Sequence, residues 1–359
     1  MVQASTILFC MILSVNMANP FTPRPSIKEH LTWQNIIQLN KDSTGAHFKR
    51  FSGTEIEVDS TQNQPTENLI VVPGFADDIE VFTPLTNYLI SYFENKNQSL
   101  TVRGFTPPFQ GSLEHQPNYV KPRGRMLSFD NHYLDPLDKL IGSTQGEKSF
   151  LLGHSTGATG IMTKILKQPE IANQLKGVIL LAPFFGLSIP RKPRAALQKF
   201  STQLLPDLDS SCPSTLQKIA NSLLSRSVGL PDPLAHVTRS LTAGIYKHQL
   251  AKRFGMSHES KEFFLKKRDM AITGEWIVRV SAAQEFIRRN IHKWPKDLPL
   301  LVLMYQDDTV VSDEALADLL QNMHQGSRVT KINMLGLHDS HSIDLDVAYA
   351  TANEIIRFM

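Results

Sequence analysis

Short runs of consecutive apolar residues recur along the chain, and segments of mixed polarity separate them. Such runs predict strands of a parallel sheet, because helices covering both faces bury both sides of each strand. Five runs predict buried strands, at residues 68–74, 149–155, 177–183, 298–308 and 330–336. Helical patterns follow at 157–168, 312–323 and 342–358. This alternation predicts an α/β fold, with a mostly parallel central sheet and helices on both faces.

One long segment, residues 188–270, interrupts the alternation. It is helical and polar in pattern, contains six prolines and lacks a convincing buried strand. It holds fourteen Lys or Arg against six Asp or Glu, a net charge of +8 in a chain whose total is +3. We therefore predict an inserted helical cap between two parts of one core, residues 19–187 and 271–359.

Residues 1–18 are predicted to be a signal peptide or an apolar N-terminal segment. Residues 7–13 are apolar, but a membrane span needs about 20 such residues. Ala18 is the candidate cleavage position, although no Lys or Arg precedes Arg24 to form a positive n-region. The two expected locations are therefore an exported, periplasmic protein and a protein held peripherally at the inner membrane.

The composition excludes several other classes of protein. Of the 359 residues, 41% are hydrophobic and 20% charged, which is ordinary for a soluble globular protein. The small net charge and the lack of a nucleic-acid-binding motif argue against a nucleic-acid partner. Cys10 and Cys212 cannot form a disulfide framework, and neither has a partner at metal-ligand spacing. We expect no metal and no cofactor.

The strongest chemical signal is the stretch GHSTG at residues 153–157. It follows an apolar run and precedes a helical pattern, which is the setting of a nucleophile elbow. There, Gly153 and Gly157 allow a tight turn with close backbone approach, and Ser155 is exposed at the start of the helix. Ser155 is the predicted nucleophile.

A serine nucleophile needs a histidine base and a carboxylate that orients it. On a strand–elbow–helix scaffold these follow in the order serine, acid, histidine. Asp307 and Asp308 end one predicted strand, and His338 and His341 follow the next. The residues alone leave both pairs open.

The oxyanion of a tetrahedral intermediate needs two backbone N–H donors. One is expected from Thr156, directly after the nucleophile, and the other from Phe75, in the turn after the strand that ends VVPGF.

From about residue 68 to its C-terminus the chain resembles the α/β-hydrolases that include bacterial lysophospholipases and monoacylglycerol lipases. The matching pieces are VVPGFADDIEVFTPLTNYL, FLLGHSTGA, LLAPFFGLSIP, GEWIVRVSAAQEF, DDTVV and ATANEIIRFM. The combination of APFFGL with WIVRVSAAQEF is most similar to the lysophospholipase branch. The resemblance implies an α/β-hydrolase fold and a catalytic triad.

The resemblance also indicates which of the two aspartates and which of the two histidines belong to the triad. The family's acid stands before a run of the form x-V-V, which implies Asp308 rather than Asp307. Matching the C-terminal helices without a gap implies His338 as the base. His341 remains the alternative, because Gly336 lies one residue closer to the histidine than is usual in the family.

The implied activity is hydrolysis of lipid carboxylic esters through an acyl-enzyme on Ser155, as in a lysophospholipase. The alternatives are a monoacylglycerol lipase or carboxylesterase, and an acyltransferase or thioesterase with the same triad. An intact triad argues against a non-catalytic receptor.

The cap is expected to contact both the substrate and a membrane. Apolar residues in the cap and directly before it are candidates to line an acyl tunnel: Phe184, Phe185, Leu187, Phe200, Leu204 and Leu205. Near an anionic membrane each basic side chain contributes about 1 kcal/mol of binding. The side chains predicted to dock on such a surface are Arg191, Lys192, Arg194, Lys266, Lys267 and Arg268.

Overall fold

A computed structural model describes the core of the protein. The described residues are 47–51, 55–59, 66–75, 77, 79–107, 126, 128–144, 147–186, 274–308 and 310–359. The predicted cap at 188–270, its basic cluster and the predicted N-terminal segment 1–18 lie outside them. No helix within the described ranges is both long enough and apolar enough to cross a membrane.

The described core is built on one sheet of eight strands. The strands are β1 (His47–Phe51), β2 (Glu55–Asp59), β3 (Thr66–Val72), β4 (Ser99–Phe105), β5 (Ser149–His154), β6 (Leu175–Leu181), β7 (Leu300–Tyr305) and β8 (Val329–Met334). Their spatial order is β1-β2-β4-β3-β5-β6-β7-β8. The two strands at the β1 edge pair antiparallel, and the six from β4 to β8 run parallel.

Helices cover this sheet in two groups. They are α1 (Thr83–Asn95), α2 (Asp135–Gly142), α3 (Thr156–Lys167), α4 (Gly274–Asn290), α5 (Asp313–Gln321), α6 (Ser340–Ile343) and α7 (Leu345–Phe358). Helix α3 packs against α4, while α1 packs against α6 and α7. Because β5 and β7 are buried along their whole length, the two groups cover opposite faces.

The predicted α/β architecture is confirmed, and the five predicted strands correspond to β3, β5, β6, β7 and β8. One expectation is wrong in detail. Strand β8 is not buried, because it lies at the sheet edge with β7 as its neighbour, and most of its side chains are exposed or half-buried. Strand β4 was not predicted, because Thr101 and Arg103 interrupt its apolar run.

Parallel pairing places the functional loops together. The carboxyl ends of β3, β5, β7 and β8 lie at the same edge of the sheet, where α/β proteins bind their ligands. The segments that contain Phe75, Ser155, Asp308 and His338 follow these four strand ends. Residues far apart in sequence therefore meet in one place.

Candidate active site

Ser155 occupies a strained turn between β5 and α3. Its backbone has φ 50° and ψ −118°, a region that residues other than glycine rarely adopt and that often marks functional sites. The Ser155 N–H donates to the carbonyl oxygen of Leu181 at 3.0 Å, and its carbonyl accepts from the Phe184 N–H at 3.0 Å. A side chain at Gly157 would collide with the carbonyl oxygens of Val72 and Pro73. Both bonds and this close contact hold the turn in place.

His338 connects Ser155 to Asp308. Its Nε2 lies 3.0 Å from Ser155 Oγ, and its Nδ1 lies 2.7 Å from Asp308 Oδ2. The other Asp308 oxygen accepts from the backbone N–H groups of Val310 and Val311, at 2.8 and 3.1 Å. Since an ionised carboxylate only accepts, Nδ1 carries the hydrogen, and Nε2 of the neutral ring can accept a proton from the serine.

The structure brings His338, and not His341, into contact with Ser155 and Asp308. His341 lies in α6 and is fully buried. Its ring lies 5.1 Å from that of Phe82 and is stacked 6.2 Å from that of Tyr305, measured between centroids. It therefore packs among aromatic rings.

The structure also distinguishes between the two candidate acids. The carboxylate that reaches His338 is that of Asp308. Asp307 uses its backbone N–H to bond the carbonyl oxygen of Gly336 at 3.1 Å, which joins the loop after β7 to the loop after β8.

Both predicted oxyanion residues lie next to Ser155. Thr156 begins α3, so its N–H is one of the four at the helix N-terminus that have no intrahelical acceptor. Phe75 follows Gly74, where an added Cβ would come within 2.9 Å of Ser155 Cβ. The loop after β3 therefore touches the nucleophile, and the donor roles of Phe75 and Thr156 remain predictions.

Tyr133 is a site residue that the sequence did not suggest. Its hydroxyl lies 2.9 Å from Thr156 Oγ1, and its side chain is fully buried. It lies in a π-helical segment, Asp130–Leu134, a form that is frequent at functional sites. No motif near residue 133 marks this contact, because the two partners come from separate parts of the chain.

An aromatic group stands beside the nucleophile. The rings of Phe75 and Trp276 have centroids 4.6 Å apart, and those of Phe184 and Trp276 are 5.9 Å apart. The Phe184 carbonyl accepts from Thr159 Oγ1 at 2.7 Å and from Gln284 Nε2 at 2.8 Å. These bonds fix the backbone of Phe184, whose N–H also donates to the Ser155 carbonyl.

One group of side chains in the described region has the spacing of a metal site. The ligand atoms of His154, His338 and Asp339 all lie within 4.8 Å of one another. Both ring nitrogens of His338 already contact Asp308 and Ser155. A metal ion would have to displace one of those contacts, so the contacts already present argue against a metal in this group.

The carboxylates around His338 favour its charged form. Burial by itself lowers the pKa of the imidazole, but attraction to Asp308 and their hydrogen bond outweigh burial. The charges of Asp339 and Asp77 add to this effect, and together they raise the pKa of His338 to about 9.

We expect kcat/KM to depend on pH through His338. As the predicted base, His338 must be neutral to accept a proton, so below about pH 9 kcat/KM should fall tenfold per pH unit, and above it should level off. The measurement is a pH profile with a soluble ester. Asp339→Asn removes one charge that raises this pKa, so the inflection should move to lower pH. An inflection near 6.5 in both proteins would contradict the expectation.

Comparisons with known proteins agree with the fold. Residues 115–344 match the family model described as serine aminopeptidase, S33. A monoacylglycerol lipase from Paleococcus ferrophilus has 15% identity and a TM-score of 0.53 over 85% of this chain and 96% of the other. A soluble variant of monoglyceride lipase from Saccharomyces cerevisiae has 15% identity and a TM-score of 0.54 over 95% and 98%. An enol-lactonase from Burkholderia xenovorans has 11% identity and a TM-score of 0.50 over 87% and 99%.

No curated protein matches the sequence at a significant level. The low identity to the solved structures means that they support the fold and not a substrate. The family model, in contrast, matches well over half of the chain. The protein therefore belongs to the serine aminopeptidase S33 family of α/β-hydrolases.

Proposed function

We propose that the protein is a serine hydrolase that cleaves carboxylic esters of lipids, with Ser155, His338 and Asp308 as its triad. The observation that carries the proposal is the continuous contact from Asp308 through His338 to Ser155 at a strained elbow. His338 lies within hydrogen-bond distance of both the nucleophile and the orienting acid, which is the geometry that acyl transfer requires.

Acylation follows from these contacts. Ser155 Oγ attacks the ester carbonyl carbon while its proton passes to His338 Nε2, and Asp308 stabilises the resulting imidazolium. The carbonyl oxygen becomes an oxyanion, which the N–H groups of Phe75 and Thr156 stabilise. The intermediate then collapses, the carbon–oxygen bond to the alcohol breaks, and the alcohol leaves with the proton from His338. Ser155 retains the acyl group.

Deacylation repeats the sequence with water. His338 takes a proton from water, the resulting hydroxide attacks the acyl-enzyme, and the fatty acid is released as Ser155 recovers its proton. If an alcohol takes the place of water, the same triad performs acyl transfer, so the choice of acceptor depends on access to the acyl-enzyme.

A lipid substrate is supported by the apolar surroundings of the nucleophile. The rings of Phe75, Phe184 and Trp276 provide an apolar surface next to Ser155, and an acyl chain gains about 0.8 kcal/mol for each CH₂ it buries. The motifs APFFGL and WIVRVSAAQEF favour a lysophospholipid within this class.

A parallel assay of several esters tests this proposal. Lysophospholipid, monoacylglycerol, diacyl phospholipid and a short p-nitrophenyl ester are incubated with the protein, and fatty-acid release is measured. We expect the highest kcat/KM with lysophospholipid. A higher value with monoacylglycerol would favour the second candidate, a monoacylglycerol lipase. Hydrolysis of the short ester alone would rule out a lipid substrate.

A further inference from the structure

Beneath the triad lies a second imidazole–carboxylate pair that the proposed reaction does not use. His154 and Asp77 are both 1% exposed, and His154 Nδ1 lies 2.9 Å from Asp77 Oδ2. Charged or ionisable groups are rarely buried this completely unless they are paired.

The other ring nitrogen of His154 contacts the backbone of His338. His154 Nε2 lies 3.1 Å from the backbone carbonyl oxygen of His338. The carboxylate of Asp339 is also close, but its Oδ1 is 3.8 Å from the same nitrogen, which is too far for a hydrogen bond. The His338 carbonyl is therefore the hydrogen-bond acceptor at Nε2.

The chemistry of these partners fixes the hydrogen at Nε2. A carbonyl oxygen only accepts, so Nε2 must carry a hydrogen. At Nδ1, either a charged imidazole donates to the Asp77 carboxylate, or a protonated Asp77 donates to a neutral ring. In both arrangements Nε2–H is available to the carbonyl oxygen of His338, and Asp77 holds the ring in that orientation.

The pair connects three segments of the site. His154 directly precedes the nucleophile Ser155, Asp77 follows Phe75 by two residues, and His338 is the base. Gly74 lets these segments touch, because an added Cβ there would lie 3.0 Å from both His154 Nδ1 and Asp77 Oδ2.

We propose that His154 is a positioning residue whose Nε2–H holds the backbone of His338, while Asp77 fixes the His154 ring and the loop that contains Phe75. The inference rests on the proposed function. Without the His154 bond, the peptide of His338 is free to shift, and with it the imidazole that must meet Ser155 Oγ. A misplacement of about 1 Å at a reacting centre can cost about 10²-fold in rate.

Two amide substitutions separate the two bonds of His154. In His154→Asn the amide nitrogen replaces Nδ1, so the contact with Asp77 can persist while the bond to the His338 carbonyl is lost. In His154→Gln the amide nitrogen replaces Nε2, so the bond to His338 can persist while Asp77 loses its partner. Both variants therefore carry an amide side chain, but each retains the contact that the other loses.

We expect kcat and stability to separate between these variants. In His154→Asn, kcat on a soluble ester should fall about 10²-fold with KM little changed, and fluorophosphonate labelling of Ser155 should slow in parallel. His154→Gln should retain most of its kcat and lose thermal stability, measured as Tm. Equal kcat in the two variants, whether both lose it or both keep it, would overturn the proposal.

A second pair of variants decides the matter if His154→Asn does not fold. Asp77→Asn can still donate to a neutral His154 ring and leave Nε2–H on the carbonyl, so kcat should stay close to that of the wild type. Asp77→Leu removes the hydrogen-bond partner of the His154 ring, and kcat should fall. Equal kcat in both Asp77 variants would contradict the role of Asp77.

The test also separates this inference from the proposed function. Wild-type protein that neither hydrolyses esters nor reacts with fluorophosphonate would refute the hydrolase. The position of the His338 ring can be followed without measuring turnover, through the imidazole ¹⁵N resonances of His338. These should shift in His154→Asn and remain near wild type in His154→Gln. Unchanged His338 resonances in His154→Asn would overturn the positioning role even in an active enzyme.

Discussion

Ser155→Ala is expected to abolish ester hydrolysis and leave the fold intact. The alanine lacks the only atom that this mechanism joins to the substrate, and loss of a triad serine has cost about 10⁶-fold in kcat in a protease with the same triad. The Ser155 side chain is buried, and its hydroxyl forms a hydrogen bond with His338. The backbone bonds that hold the elbow do not involve the hydroxyl, so Tm should change little.

Covalent labelling gives the direct measurement. A fluorophosphonate probe followed by mass spectrometry should modify the wild type at Ser155 and leave Ser155→Ala unmodified. Ser312→Ala is the matched control, because Ser312 is also a buried serine, whose Oγ accepts from the Ala315 N–H at the start of α5. That variant should lose about 1 kcal/mol of stability and keep its labelling. Undiminished turnover in Ser155→Ala would refute the nucleophile assignment.

Loss of the base or of the acid should have the next largest effect. His338→Ala removes the group that accepts the serine proton. Asp308→Asn keeps the shape but lets the imidazole adopt the wrong tautomer, which cost about 10⁴-fold in kcat in a related triad. We expect losses of that order in both variants, measured with a soluble ester.

The neighbouring residues are the matched controls. Asp307→Asn should retain most of its activity, because the carboxylate that contacts His338 is that of Asp308. His341→Ala should reduce stability, because it leaves a cavity among buried aromatic rings, while kcat per folded molecule should fall far less than in His338→Ala. An inactive His341 variant beside an active His338 variant would reverse the assignment of the base.

Some features of this protein can be predicted from local patterns. The apolar runs predict the parallel sheet because a strand that is buried on both faces is apolar along its whole length. This pattern can be recognised in each strand separately. The elbow is equally local: strand, tight turn and helix occupy consecutive residues, so GHSTG after an apolar run is enough to point to Ser155. The order of acid and histidine follows from the order of the strands.

Other features depend on contacts across the chain. His338 and His341 are three residues apart in one polar stretch, and both are compatible with the motif. In the fold, α6 begins at Ser340 and turns His341 into the aromatic core, while His338 stays in the loop that faces Ser155. A side chain's direction at a loop–helix junction depends on what the helix packs against, which the local sequence does not contain.

The sequence by itself determined the fold class, the elbow at Ser155 and the short set of residues from which acid and base are drawn, because each rests on a pattern within one segment. Only the tertiary structure decided that His338 contacts both Asp308 and Ser155, that Tyr133 bonds Thr156, and that Asp77 pairs with His154. Each of these contacts joins side chains from separate loops or helices. The distances between these side chains depend on how the parallel strands align their carboxyl ends at one edge of the sheet. That alignment involves several segments at once, so no single segment encodes it.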